Sequence, residues 1–250
     1  MKPLLLALSL LLSLLSPLGA LAQGATPAPT VPGAVLSSDY VNLVSVNNLN
    51  AITRRFYDRE VPAAQFPVEE YRLTFTSQAA NGHPETVVAQ LFVPRPEDPA
   101  ELPIYVLGAG TTGLSEQCAA SQERPAVQSW GNYRAYLLTH AAQGFITIMP
   151  DYQGMNHPER IQPYYVAEMQ GRVALDAARA VQDFFEQRLY RAENPVRPQP
   201  AVFIGGYSQG GTTIFGARDI QPDYAPDVPL AGLIGYGAVR DQISHMITPP

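Results

Sequence analysis

Residues 201–218 read Ala-Val-Phe-Ile-Gly-Gly-Tyr-Ser-Gln-Gly-Gly-Thr-Thr-Ile-Phe-Gly-Ala-Arg, and they constrain the fold of this 250-residue chain more than any other stretch. The apolar run Ala201–Ile204 reads as a buried strand, residues 212–218 can start a helix, and only a glycine-rich turn separates them. A turn that sharp holds its central residue, Ser208, in a strained backbone conformation with the hydroxyl clear of the main chain. Gly206 and Gly210 flank the serine because strand and helix approach too closely there for a Cβ. The helix that begins beside it points free N–H groups outward, so the amide of Gln209 is a ready donor to a developing oxyanion. Ser208 is therefore read as a nucleophile. A serine that merely caps a helix is the competing reading, and the strand before it and helix after it disfavour that.

The pattern of the remaining chain sets that turn in a wider frame. Leu49, Ile52, Phe56 and Tyr57 fall at helical spacing within residues 47–59 and predict a short amphipathic helix. Residues 70–76 alternate in the manner of a strand, Asn81-Gly82 marks a turn, and residues 86–93 return as a second strand ended by Pro94. Thereafter the apolar runs 104–107, 145–149, 201–204 and 230–234 read as fully buried parallel strands. Helical stretches separate them: residues 130–142, closed by Gly144, and residues 166–190, where Val173, Ala177, Ala180, Val181, Phe184 and Phe185 share a face. The fold class is thus α/β, a mostly parallel sheet with an antiparallel N-terminal hairpin and helices on both faces.

Met1-Lys2 precedes a leucine-rich apolar stretch from Pro3 to Leu21, and Ala20-Leu21-Ala22 has the small-x-small form that signal peptidase cuts. Residues 1–22 are read as a signal peptide, which places the mature protein outside the cell or in the periplasm. A membrane anchor is the alternative, disfavoured by Ser9, Ser13, Ser16 and Pro17, so no stable span is expected after cleavage. Residues 23–38, with prolines at 27, 29 and 32, are expected to form a flexible lead-in, and residues 39–250 a single α/β domain.

Lys2 is the only lysine, so cleavage leaves 15 arginines against 22 acidic residues, a formal charge of −7. Nucleic-acid binding is not expected, because no basic stripe is available to neutralise phosphates. Cys118 is the single cysteine, which excludes an intrachain disulfide and a cysteine-based zinc site within this sequence.

Several segments taken together resemble the α/β-hydrolase superfamily, most closely the secretory lipases. Ile104-Tyr-Val-Leu-Gly-Ala-Gly-Thr-Thr-Gly113 followed by Gln117-Cys-Ala-Ala-Ser121 is similar to the family segment in which a strand ends in His-Gly-Thr-Thr-Gly and precedes Cys-Ala-Pro-Ser; Ala109 and Ala120 stand where that segment has His and Pro. The resemblance implies that Thr111 supplies the second oxyanion amide. Ile148-Met-Pro-Asp-Tyr-Gln-Gly154 is similar to the family's Pro-Asp-Tyr-x-Gly, where Asp151 is expected to organise a turn. Gly205-Gly-Tyr-Ser-Gln-Gly210 also resembles the elbow of cutinases. Tyr152, Tyr164 and Tyr165 are placed to border the site, with packing as the alternative.

In this fold the chain order of the triad is Ser, then Asp or Glu, then His. Beyond the elbow helix the sequence offers Asp241 and His245, four apart, as weak candidates for acid and base, a solvated surface or lid-region role being the favoured reading. His83, His140 and His157 all precede the serine and do not fit that order. The acid, the base and the last strands are accordingly expected to lie beyond Pro250. The expected activity is that of a secreted serine-dependent carboxylic-ester hydrolase, lipase or esterase, acting on a lipid or small-molecule ester through an acyl-enzyme at Ser208 without a metal or cofactor. The alternatives are a non-catalytic hydrolase-fold binding protein, a cutinase-like polyester hydrolase and a peptidase.

Overall fold

The computed structural model describes residues 31–123 and 132–239. The leader, most of the lead-in, Trp130, Asp241 and His245 lie outside the described residues.

The first strand, β1 (Val35–Val44), pairs antiparallel with β2 (Val68–Gln78). Residues 35–38, expected in the lead-in, thus already belong to the sheet. Only Val35 and Val44 of β1 are buried; the strand is held through its backbone rather than through an apolar face. Between the two, α1 (Val46–Phe56) occupies the expected position, and the Ser45 hydroxyl accepts from the Asn48 N–H at 3.4 Å to cap it. The predicted hairpin forms between β2 and β3 (Pro84–Pro94), in unbroken register from Val68↔Pro94 to Gln78↔Pro84.

From β3 onward the chain crosses over. β4 (Ala100–Gly108), α2 (Tyr133–Ala141), β5 (Ile146–Pro150), α3 (Ala167–Glu186), β6 (Val196–Tyr207), α4 (Gln209–Tyr224) and β7 (Leu230–Tyr236) follow in sequence. Sheet order is β1-β2-β3-β5-β4-β6-β7, with β5, β4, β6 and β7 parallel as expected and β3 antiparallel to β5.

Strand alternation splits the core in two. Ile104 and Val106 of β4, with Ile146 and Ile148 of β5, face Val173, Ala177, Val181 and Phe184 of α3. Tyr105 and Leu107 point the other way, toward Leu137, Leu138 and Ala141 of α2 and Leu49 of α1. Each helix pair covers one face, so both faces of the central strands are dry. β7 departs from the expectation of a buried strand: Leu233 and Ile234 are 36% and 47% exposed, because among the described residues it has only β6 beside it.

Candidate active site

β4 and β6 pair in register at Leu107↔Gly205 and Gly108↔Gly206, so both strands leave the sheet at the same level. Their two exits, the turn after Gly108 and the turn at Ser208, must therefore stand side by side. Ser208 takes φ 51° and ψ −110° between the last residue of β6 and the first of α4. That backbone is unfavourable for a residue with a Cβ and marks stored strain. The N–H of Ser208 donates to the Tyr236 carbonyl at 2.9 Å and its own carbonyl accepts from the Gly211 N–H at 2.9 Å. Its side chain makes no capping bond to α4, which removes the helix-cap alternative.

The glycines act by absence. A Cβ on Gly206 would collide with the Gly210 carbonyl oxygen, and one on Gly210 with the Gly108 carbonyl oxygen. A Cβ on Gly110 would come to 2.6 Å from the Tyr133 hydroxyl oxygen and 2.8 Å from Tyr207 Cδ1. The two turns are therefore in direct backbone contact, with Gly110 lying against Tyr207. α4 starts at Gln209, whose N–H has no intrahelical acceptor and carries the positive end of the helix dipole.

Side chains fix both turns from below. The Tyr133 hydroxyl accepts from the Gly110 N–H at 2.9 Å. The Tyr152 hydroxyl donates to the Ala109 carbonyl at 2.6 Å and lies 3.1 Å from Thr213 Oγ1 on α4. Burial raises both phenols above their ordinary value, so they remain protonated. Asp151 is fully buried and accepts from the Ser121 N–H at 2.7 Å, the Ser121 hydroxyl at 2.5 Å and the Asn156 amide at 2.9 Å. It ties the loop after β5 to the segment after β4, which is the turn-organising task expected of it. Gln209 is buried, and its amide donates to Gln162 Oε1 at 2.7 Å, while the Gln162 amide donates to the Gly113 carbonyl. Sequence reasoning did not single out Tyr133 or Gln162; neither sits in a local motif, and each acts on a residue more than 20 positions away.

Thr111 is exposed, its hydroxyl 2.8 Å from the Tyr164 hydroxyl. Tyr165 is buried, with its hydroxyl near those of Ser208, Tyr164 and Thr111. Ser208, Gln209 and Thr111 are thus brought together, and two of the three tyrosines named from sequence close the space between them.

The described histidines stand elsewhere. His83 lies in the exposed β2–β3 turn, and His157 is exposed in the loop after β5, accepting from the Glu159 N–H at 3.2 Å. His140 is stacked on Tyr105 at 5.2 Å, with Nδ1 2.8 Å from the Tyr136 carbonyl, and burial lowers its pKa. Asp241 and His245 lie outside the described residues. Cys118 carries a free thiol packed against Gly113. A cavity of about 730 Å³, lined by Gly33, Arg179, Asp183, Tyr224 and Val228 among others, contains none of Ser208, Gln209 or Thr111.

This strand order, with a strained serine between a parallel strand and its helix, is the α/β-hydrolase fold. Solved structures agree. The rice cell wall degrading esterase LipA from Xanthomonas oryzae superposes with a TM-score of 0.65 at 22% identity, over 81% of this chain and 49% of that one. Candida antarctica lipase A superposes with a TM-score of 0.53 at 17% identity, over 83% of this chain and 42% of that one.

Within that fold the sequence is similar to secretory lipases. The secretory lipase family model matches residues 132–248. A secreted triacylglycerol lipase, LIP1 of Malassezia furfur, is 25% identical over 170 residues, 66% of this chain and 32% of the relative. A lipase of Staphylococcus hyicus is 30% identical over 147 residues, 56% of this chain and 22% of that protein. The chain spans about a third or less of the length of these curated relatives. No helix among the described residues is long and apolar enough to cross a membrane.

Proposed function

We propose that the protein is an exported carboxylic-ester hydrolase of lipase or esterase type in which Ser208 is the nucleophile. The observation that carries this reading is the backbone of Ser208, φ 51° at the junction of β6 and α4, with glycine-only contacts on either side. Strain of this kind, of order 1–3 kcal/mol, persists only where surrounding structure enforces it, and here it exposes one hydroxyl beside a helix N-terminus.

Ser208 Oγ attacks the ester carbonyl carbon, and the pair of electrons released from the carbonyl settles on its oxygen. The amides of Gln209 and Thr111 face that oxygen, and water later hydrolyses the acyl-enzyme. The serine proton passes to a general base that follows Ser208 in the chain order of this fold. Export through cleavage after Ala22 is part of the same proposal, supported by the leader pattern and by the secreted nature of the Malassezia relatives. The test is a fluorophosphonate probe and a short-chain ester applied to the natural full-length protein. Ser208→Ala is expected to abolish labelling and lower turnover by about 10⁴-fold or more; labelling that survives the substitution removes the assignment.

A further inference from the structure

Tyr165 stands in the bend just before α3 with φ +57°, a left-handed backbone that is unfavourable for a ring-bearing residue. The conformation puts its side chain inward, 9% exposed, with its ring edge-on to Tyr164 at a centroid distance of 4.4 Å. The Tyr164 hydroxyl lies 2.8 Å from Thr111 Oγ1, and the Tyr165 hydroxyl is near those of Ser208, Thr111 and Tyr164. Four hydroxyl groups therefore converge on the space between the two glycine-bearing turns, where the carbonyl oxygen of a bound ester would have to lie. Gln162 and Gln209, joined side chain to side chain, pin the loop that carries Tyr165 to the start of α4. Burial raises the Tyr165 phenol above its ordinary 10, so the group keeps its proton and can serve as a donor.

We propose that the Tyr165 hydroxyl is a third donor to the oxyanion, acting with the amides of Gln209 and Thr111. The inference rests on the serine-nucleophile reading given above. In the resting protein the phenol lies near Ser208 Oγ. As Oγ bonds to the carbonyl carbon its proton leaves to the general base, the carbonyl π pair moves onto oxygen, and the Tyr165 O–H turns to that oxygen. The phenol donates a hydrogen bond and never loses its proton, so no charge is created on the ring. Because the bond to substrate strengthens only as negative charge develops, the group acts on the transition state more than on ester binding.

The experiment compares Tyr165→Phe with the wild type in the natural full-length protein, using a short-chain nitrophenyl ester and a boronic acid that forms a tetrahedral adduct with the serine. The expected result is a fall in kcat of about 100-fold, the scale for one oxyanion donor, with KM within about twofold and boronate affinity reduced in parallel. Tyr165→Phe keeps the ring and its packing on Tyr164, so its thermal midpoint is expected to stay at the wild-type value, which separates chemistry from folding. An active wild type whose Phe variant keeps kcat within about threefold, or loses equally in KM, overturns the role of Tyr165 alone. A Phe variant faster than the wild type overturns it too, since the phenol would then be an obstruction. A wild type that neither turns over the ester nor labels at Ser208 overturns the serine reading and this inference with it.

Discussion

The two ends of α4 carry polar centres built on opposite terms. At its start Ser208 is strained, and its hydroxyl lies near that of Tyr165. At its end Tyr224 donates to the buried carboxylate of Asp176 at 2.7 Å, which also accepts from Ser77 at 2.7 Å and pairs with Arg179 at 3.0 Å. Arg179 is itself shared with Asp227 and with the Tyr224 carbonyl. One centre leaves bonding capacity free for a substrate, and the other spends all of it inside the protein. The difference teaches that burial of polar groups is not by itself a mark of function; a strained backbone that holds a hydroxyl beside a helix N-terminus is the more telling sign.

The comparison breaks first at Asp176. Removing its carboxylate by Asp176→Ala leaves the Ser77 and Tyr224 hydroxyls and part of Arg179 without their partner, and is expected to cost about 3–5 kcal/mol in urea unfolding. Ser208 labelling of the folded fraction should persist at the wild-type rate. A cost under about 1 kcal/mol would mean that the lower centre does not hold the fold and the contrast is false.

The second test moves to the glycine contacts. Gly210→Ala drives a methyl group into the Gly108 carbonyl, so one of the two turns must shift. A cost of about 1–3 kcal/mol is expected, with a drop in labelling rate out of proportion to it, because the displaced turn carries Thr111. Unchanged labelling would show that the two turns need not touch for chemistry.

The features legible in the sequence were those that repeat or cluster locally. The glycines around Ser208, the alternation in residues 70–76 and the apolar runs of β4, β5 and β6 announce themselves within a few residues. β1 was missed beyond its boundary because eight of its ten residues are not buried and its pairing with β2 leaves no periodic imprint. Tyr165 was nameable as a residue near the site, yet its contact with Ser208 spans more than 40 positions and depends on a left-handed bend that a Tyr-Tyr sequence does not signal. Tyr133 and Gln162 were invisible for the same reason: their partners are set by the juxtaposition of strand ends, not by neighbours in the chain.

A third prediction sharpens the contrast from the other side. If Ser208 holds strain for the sake of its hydroxyl, Ser208→Gly should raise stability by about 1 kcal/mol in urea unfolding while abolishing labelling, because glycine accepts φ 51° freely. A gain in stability at a residue whose loss ends activity would separate it from Asp176, where stability alone is expected to fall. A destabilised glycine variant would instead make the turn an ordinary packed element.

The smallest effect concerns pH at the far end of α4. Asp227 has its carboxyl held below the ordinary 3.8 by hydrogen bonds from Arg179, whereas burial raises Asp176 above that value. A lowered folded pKa means a contribution that is present above 3.8 and is lost as pH falls through the lower folded value. The raised value of Asp176 runs the other way: its contribution is complete below 3.8 and is lost as pH rises through the folded value. Because the Asp227 side chain is 57% exposed, its pair with Arg179 is worth only about 0.5 kcal/mol. Asp227→Asn should therefore trail the wild type by about that amount at neutral pH, and the gap should close below the ordinary carboxylate range, where the wild type loses the pair as well. Urea midpoints measured across that range decide it. A gap that stays constant with pH would assign the difference to packing of the side chain rather than to charge, and Arg179 would then owe its place to Asp176 alone.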